Sequence, residues 1–181
     1  CQSGTDALRF ALMALDLGPG DEIMTTNFSW ISTASCISMV GATPVFCDID
    51  PDTYHLSIES VRRMYQPEVK AIVYPHLFGN ISDMTEIQDF CEEKHIKLIE
   101  DACQSFGANR DGQYAGTYGD IATLSFNANK PVAGISGGGA VLLDNKTQAD
   151  FIRKLRRHGN NEVLGYNSKM LAINAEFINF R

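Results

Sequence analysis

The sequence predicts an α/β fold, a mostly parallel sheet with helices on both faces and one antiparallel strand. Two observations predict it. Helical and extended patterns alternate regularly as far as Asp101, and such alternation builds parallel strands joined by crossover helices. Beyond Asp101, "IATLSFN" and "GAVLLDN" follow one another without an intervening helical pattern, which predicts the antiparallel member.

"GTDALRFALMALDLG" has apolar residues at helical spacing, opens after Ser3 and closes at Gly18. "EIMTT" reads as a short strand and "SWISTASCISMVG" as a second helix ending at Gly41. "PVFCDI" is apolar and extended, and the turn "DPDT" follows it. "SIESVRRMY" predicts a helix and "KAIVYPH" a strand. "DMTEIQDFCEEKH" predicts a helix capped by Asp83, with Glu86 placed to complete a capping box. "IKLIED" is a further buried strand. The glycine-containing stretch "GANRDGQYAGTYGD" reads as a loop before the strand pair. "TQADFIRKLRRHG" then closes with a basic last turn that suits the helix dipole.

The chain has 181 residues, enough for one domain with a sizeable core. Its formal net charge of −7 argues against a nucleic-acid partner held by bulk electrostatics. No apolar run approaches membrane-spanning length and nothing resembles a signal peptide. The five cysteines are scattered, odd in number and without a C-x-x-C pair. They predict neither zinc nor a disulfide framework, and a reducing cytoplasm suits them. The chain begins at the mouth of a helix without an initiator methionine and stops inside a helical pattern. The expectation is an internal piece of a longer protein.

In open sheets of this kind ligands bind beyond the carboxyl ends of the strands. Asp101 ends the run "KLIED". It reads as well as a turn carboxylate as it does as a partner for the pyridinium nitrogen of pyridoxal phosphate, whose protonated ring withdraws electrons from a substrate carbon. Lys130, in "SFNANKPVAGISGGGAVLL", is either a surface lysine or an amine placed to form a Schiff base with the cofactor aldehyde. Ser3, Gly4 and Thr5 open a helix, where free N–H groups favour an anion but also make an ordinary cap. Ser125 adds a hydroxyl before the lysine. Trp30, the single tryptophan, reads as a core residue or as a ring stacked on a flat ligand.

Taken in order, the stretches "SGTDAL", "LGPGDEIMTTNFSWISTAS", "GATPVFCDIDPDTYHLS", "KAIVYPHLFGN", "LIEDACQSFGA", "GTYGDIATLSFNANK", "GGGAVLL", "RRHG" and "GYNSKM" resemble the DegT/DnrJ/EryC1/StrS sugar aminotransferases. These are fold-type I pyridoxal phosphate enzymes, and the resemblance covers nearly the whole chain. It implies that residues 1–181 are the cofactor-binding large domain, with an N-terminal segment and a C-terminal small domain outside it. It implies transfer of an amino group, with glutamate as donor, to a keto-deoxy sugar nucleotide for cell-surface polysaccharide such as O-antigen, or for a related glycan.

By the same resemblance, Lys130 carries the cofactor and shuttles the proton, Asp101 pairs with the pyridinium nitrogen, and Gln104 bonds the phenolic oxygen. Trp30 stacks on the ring, while Gly4, Thr5 and Ser125 hold the phosphate. Asn167 reaches the phosphate of the neighbouring subunit in a homodimer with shared sites. His76 and His158 match family positions without an assigned role. Three departures bear on substrate identity: Ser136 and Gly137 replace a usual G-E-G-G stretch, Pro131 follows the lysine, and Lys169 stands where arginine is frequent.

Related dehydratases have histidine in place of the Schiff-base lysine, and Lys130 argues against that reaction. The intact set of Lys130, Asp101 and Gln104 argues against a non-catalytic, cofactor-binding regulator. "GISGGGAV" lacks the spacing of a dinucleotide loop and precedes a strand rather than following one.

Overall fold

The computed structural model describes residues 1–180. Six strands form one sheet: β1 (Glu22–Thr26), β2 (Thr43–Cys47), β3 (Val69–Pro75), β4 (Lys97–Asp101), β7 (Ile121–Ser125) and β8 (Gly139–Leu142), in the order β2-β1-β3-β4-β7-β8. All neighbouring pairs are parallel except β7 and β8, the antiparallel pair the sequence predicts. Between β4 and β7 the glycine-containing loop holds a hairpin of two-residue strands, β5 (Asn109–Arg110) and β6 (Gln113–Tyr114), which the sequence reading did not anticipate.

Helices cover both faces because the strands are apolar on both. On one face Ile23, Val73, Ile99 and Ile121 pack under α1 (Gly4–Ala14), α2 (Ile31–Met39) and α5 (Lys146–Leu155). On the other, Met24, Ile72 and Leu98 pack under α3 (Ile58–Met64) and α4 (Thr85–Lys94). The last element is α6 (Ala172–Phe180). The α4 start differs from the expected capping box. Met84 occupies the cap position without a side-chain bond, and Asp83 instead takes the Thr85 N–H at 3.0 Å in a local turn. No helix among the described residues is long and apolar enough to cross a membrane.

The chain leaves β1, β3, β4 and β7 at one edge of the sheet, and β8, running the other way, begins there. That edge is fixed partly by Glu100, which is fully buried. Its carboxylate accepts the N–H groups of Gly116 (2.8 Å), Tyr118 (2.6 Å) and Gly119 (2.7 Å), and His76 Nε2 lies 2.7 Å away. Burial alone raises the Glu100 pKa, but the His76 contact and the amide donors outweigh it and hold the group below its ordinary value. A carboxylate depressed in this way stabilises the fold above its unfolded pKa of about 4.3, and that stability is lost as pH falls through the lower folded value. Replacing Glu100 by Gln turns an NH₂ toward donors that need an acceptor. Glu100→Gln is expected to cost about 3 kcal/mol of stability in urea titrations at neutral pH. The wild-type advantage should shrink as the pH is taken below about 4. A variant as stable as wild type at neutral pH would show that the loop is held by other contacts.

Candidate active site

A cavity of about 360 Å³ opens at the carboxyl edge of the sheet, a size that suits a small organic ligand. Gly4, Thr5, Trp30, Asp101, Gln104, Ser125 and Lys130 all line it. Of the residues given a cofactor role from the sequence, only Asn167 lies elsewhere.

Part of the lining has the donors that suit an anion. Ser3 caps α1 by accepting the Asp6 N–H at 3.1 Å, which leaves the Gly4 and Thr5 N–H groups in the first turn. A Cβ on Gly4 would stand 2.8 Å from Ser125 Cβ and 3.0 Å from Cys103 Sγ. Glycine therefore lets the helix start settle against the end of β7. The Thr5 and Ser32 hydroxyls, 2.8 Å apart, tie α1 to α2. Ser125 Oγ accepts the Asn127 N–H at 3.4 Å and keeps its own proton to donate. Amides at a helix start, with the dipole behind them and a hydroxyl opposite, have the chemistry to hold a phosphate monoester.

The same cavity offers a buried carboxylate. Asp101 Oδ2 accepts the Thr33 hydroxyl proton at 2.7 Å, and Oδ1 accepts the Cys103 N–H at 3.2 Å. Having given its proton to Asp101, Thr33 Oγ1 acts as acceptor toward Ser29 Oγ, 2.9 Å away. Among the described residues no lysine, arginine or histidine forms an ion pair with Asp101. A buried carboxylate held by neutral donors alone is suited to a cationic ligand group. Beside it, burial and then the Asp101 charge push the Cys103 thiol above its ordinary pKa, which disfavours the thiolate.

Gln104 Oε1 accepts the Phe78 N–H at 3.0 Å. A backbone donor admits only one orientation of the amide, so the side-chain NH₂ is the group left to donate. Lys130 ends a turn closed by its N–H to Asn127 O (2.9 Å), and its half-buried side chain is the one lysine of the lining. Trp30 stands at the start of α2 and is 65% exposed, so it is a rim residue and not part of the core.

Several contributors were invisible in the sequence. Thr33 orients Asp101 from 68 residues away. His76 gains a place: it is buried, lines the cavity, pairs with Glu100 and donates its backbone N–H to Asp101 O at 3.1 Å. His158 is exposed in a short turn, with its N–H bonded to Tyr166 O at 2.9 Å. Asn167 is exposed and bridges to Arg157, outside the cavity of its own chain. Its neighbour Ser168 is buried, accepting the Gln2 N–H at 3.2 Å and bonding to Asp6 on α1. This segment is therefore docked beside α1, whose start carries the donors that suit an anion.

The family model for DegT/DnrJ/EryC1/StrS aminotransferases matches residues 1–179. The chain belongs to this family. It is 40% identical over 175 residues to a UDP-N-acetyl-3-dehydro-α-D-glucosamine 3-aminotransferase of Acidithiobacillus ferrooxidans, covering 94% of this chain and 47% of that protein. It is 36% identical over 186 residues to a pleiotropic regulatory protein of Geobacillus stearothermophilus, covering 100% of this chain and 50% of the relative. Among solved structures, NtdA of Bacillus subtilis with bound cofactor PMP superposes with a TM-score of 0.88 at 34% identity, over 98% of this chain and 42% of that one. The chain thus spans about half the length of the curated relatives it matches.

Proposed function

We propose that this chain is the cofactor-binding large domain of a pyridoxal phosphate-dependent aminotransferase. The amino group comes from glutamate and goes to a keto-sugar nucleotide used for cell-surface polysaccharide or a related glycan. The observation that carries this reading is the arrangement around a single cavity of an amide-rich helix start, a buried carboxylate with no ion-pair partner, an amide donor and one lysine. Those groups match a phosphate, a ring cation, a phenolic oxygen and an aldehyde.

In this reading the Gly4 and Thr5 amides and the Ser125 hydroxyl hold the phosphate. Asp101, oriented by Thr33, keeps a proton on the ring nitrogen, and the Gln104 NH₂ donates to the phenolic oxygen. Trp30 covers the open face of the ring. When bound, pyridoxal phosphate supplies the electron sink for the carbon that loses or gains a proton. Lys130 is the residue that would hold the cofactor through its aldehyde, by condensation with loss of water, and its amine, when free, would carry that proton as a general base and acid.

A second reading is a regulatory protein that binds the cofactor without turnover, favoured by the relationship to the Geobacillus protein. The two separate in one experiment. Treating the full-length protein with pyridoxal phosphate and borohydride should fix the label on Lys130, and glutamate should support amination of a keto-sugar nucleotide from a substrate panel. Lys130→Ala should take neither label nor turnover. Turnover retained in that variant contradicts the lysine assignment, whereas labelling of Lys130 without any turnover supports the regulatory reading.

We propose further that the enzyme is a homodimer in which Asn167 serves the partner's site. Its exposed position beside α1, off its own cavity, supports this. Asn167→Ala is expected to weaken cofactor binding, and mixing an impaired Asn167→Ala protein with Lys130→Ala should restore activity in one site per mixed dimer. Impairment of the parent with no recovery in mixed dimers would place the role of Asn167 within its own chain.

A further inference from the structure

We propose that Asn174 is a positioning residue that gives the loop behind Lys130 its shape, and that capture of the cofactor aldehyde by Lys130 depends on it. The proposal rests on the reading of Lys130 as the cofactor lysine.

The loop between β7 and β8 is pinched by two backbone bonds around Phe126, Gly134 N–H to Phe126 O (2.8 Å) and Phe126 N–H to Gly138 O (2.9 Å). Between those pins, Ile135, Ser136 and Gly137 line the cavity together with Lys130. Glycine-rich backbone has no shape of its own. Here the shape comes from a side chain on α6. Asn174 is 1% exposed, and its Oδ1 accepts the Ser136 N–H at 3.1 Å while its Nδ2 donates to Gly137 O. Both hydrogen-bonding arms of the amide are thus spent on consecutive residues of the loop.

The glycines are shaped around this contact. A Cβ on Gly134 would stand 2.5 Å from Asn174 Oδ1, and one on Gly138 would stand 2.7 Å from Met170 Cε. Gly137 and Gly138 also hold φ values of +83° and +143°, which side chains disfavour. The loop therefore accepts Asn174 on α6, and Met170 just before that helix, at close range. Only a short amide supplies an acceptor and a donor at that spacing. Aspartate of the same shape presents two acceptors and turns one against the Gly137 carbonyl, while leucine of similar bulk supplies neither.

The test uses the full-length protein, freed of cofactor, and its Asn174→Asp and Asn174→Leu variants. Amide exchange in the 134–137 segment is expected to quicken about tenfold in both variants. The rate at which added pyridoxal phosphate develops its bound visible absorption should fall about ten- to a hundredfold, because the amine is then less well placed. Borohydride trapping and peptide mapping report the site of attachment. Faster exchange with an unchanged capture rate would make Asn174 a structural residue only and overturn the proposal, as would unchanged exchange in the segment. If Asn174→Leu does not fold, the isosteric Asn174→Asp decides alone. A wild-type protein labelled at a residue other than Lys130 overturns the lysine reading itself, before any variant is compared.

Discussion

The first turn of α1 rests directly on the ends of β7 and β8, and the site depends on that contact. Gly4 has no Cβ to meet Ser125, and Gly139, the first residue of β8, lies so close to the Ser3 carbonyl that it too must be glycine. With both side chains absent, the N–H groups of the helix start come within reach of a ligand seated over the strand ends. The antiparallel run of β8 matters for the same reason. It begins at the carboxyl edge where the parallel strands finish, so the loop bearing Lys130 returns across the mouth of the cavity before entering the sheet.

Two adjacent carboxylates on β4 illustrate how one strand serves stability and chemistry at once. Successive side chains of a strand point to opposite faces. Glu100 faces the loop at residues 116–119 and meets enough donors to be committed to the fold. Asp101 faces α2 and meets a hydroxyl and one amide, with no cation. The first carboxylate holds the platform, and the second remains available to a ligand. His76 links them by pairing with Glu100 through its ring and with Asp101 through its backbone.

The regular part of the fold was legible because its strands are short apolar runs and its helices carry periodic apolar faces. The late strand pair was legible from the missing helix between "IATLSFN" and "GAVLLDN". The β5–β6 hairpin was not, since two-residue exposed strands carry no alternation to read. The cap at α4 failed because Asp83 satisfies a nearer amide in a local turn, leaving Met84 to begin the helix. At the site, resemblance singled out residues that could touch a ligand, and the fold gathers all of them except Asn167 around one cavity. Thr33, Glu100 and Asn174 support those residues through contacts 68, 16 to 24 and 37 to 38 positions apart in the chain. Hydrophobic periodicity and local motifs have no access to pairings of that range.

As proposed, Asp101 at the sheet edge is the counter-charge to a ring cation in the same cavity in which the start of α1 holds a phosphate. This assignment is tested most directly by binding pyridoxal phosphate labelled with ¹⁵N in the ring to the full-length protein and recording the nitrogen chemical shift across neutral and mildly alkaline pH. The account predicts a protonated ring nitrogen throughout in the wild-type protein and loss of that proton in Asp101→Asn. A ring nitrogen that is unprotonated in the wild type, or equally protonated in both proteins, would contradict it.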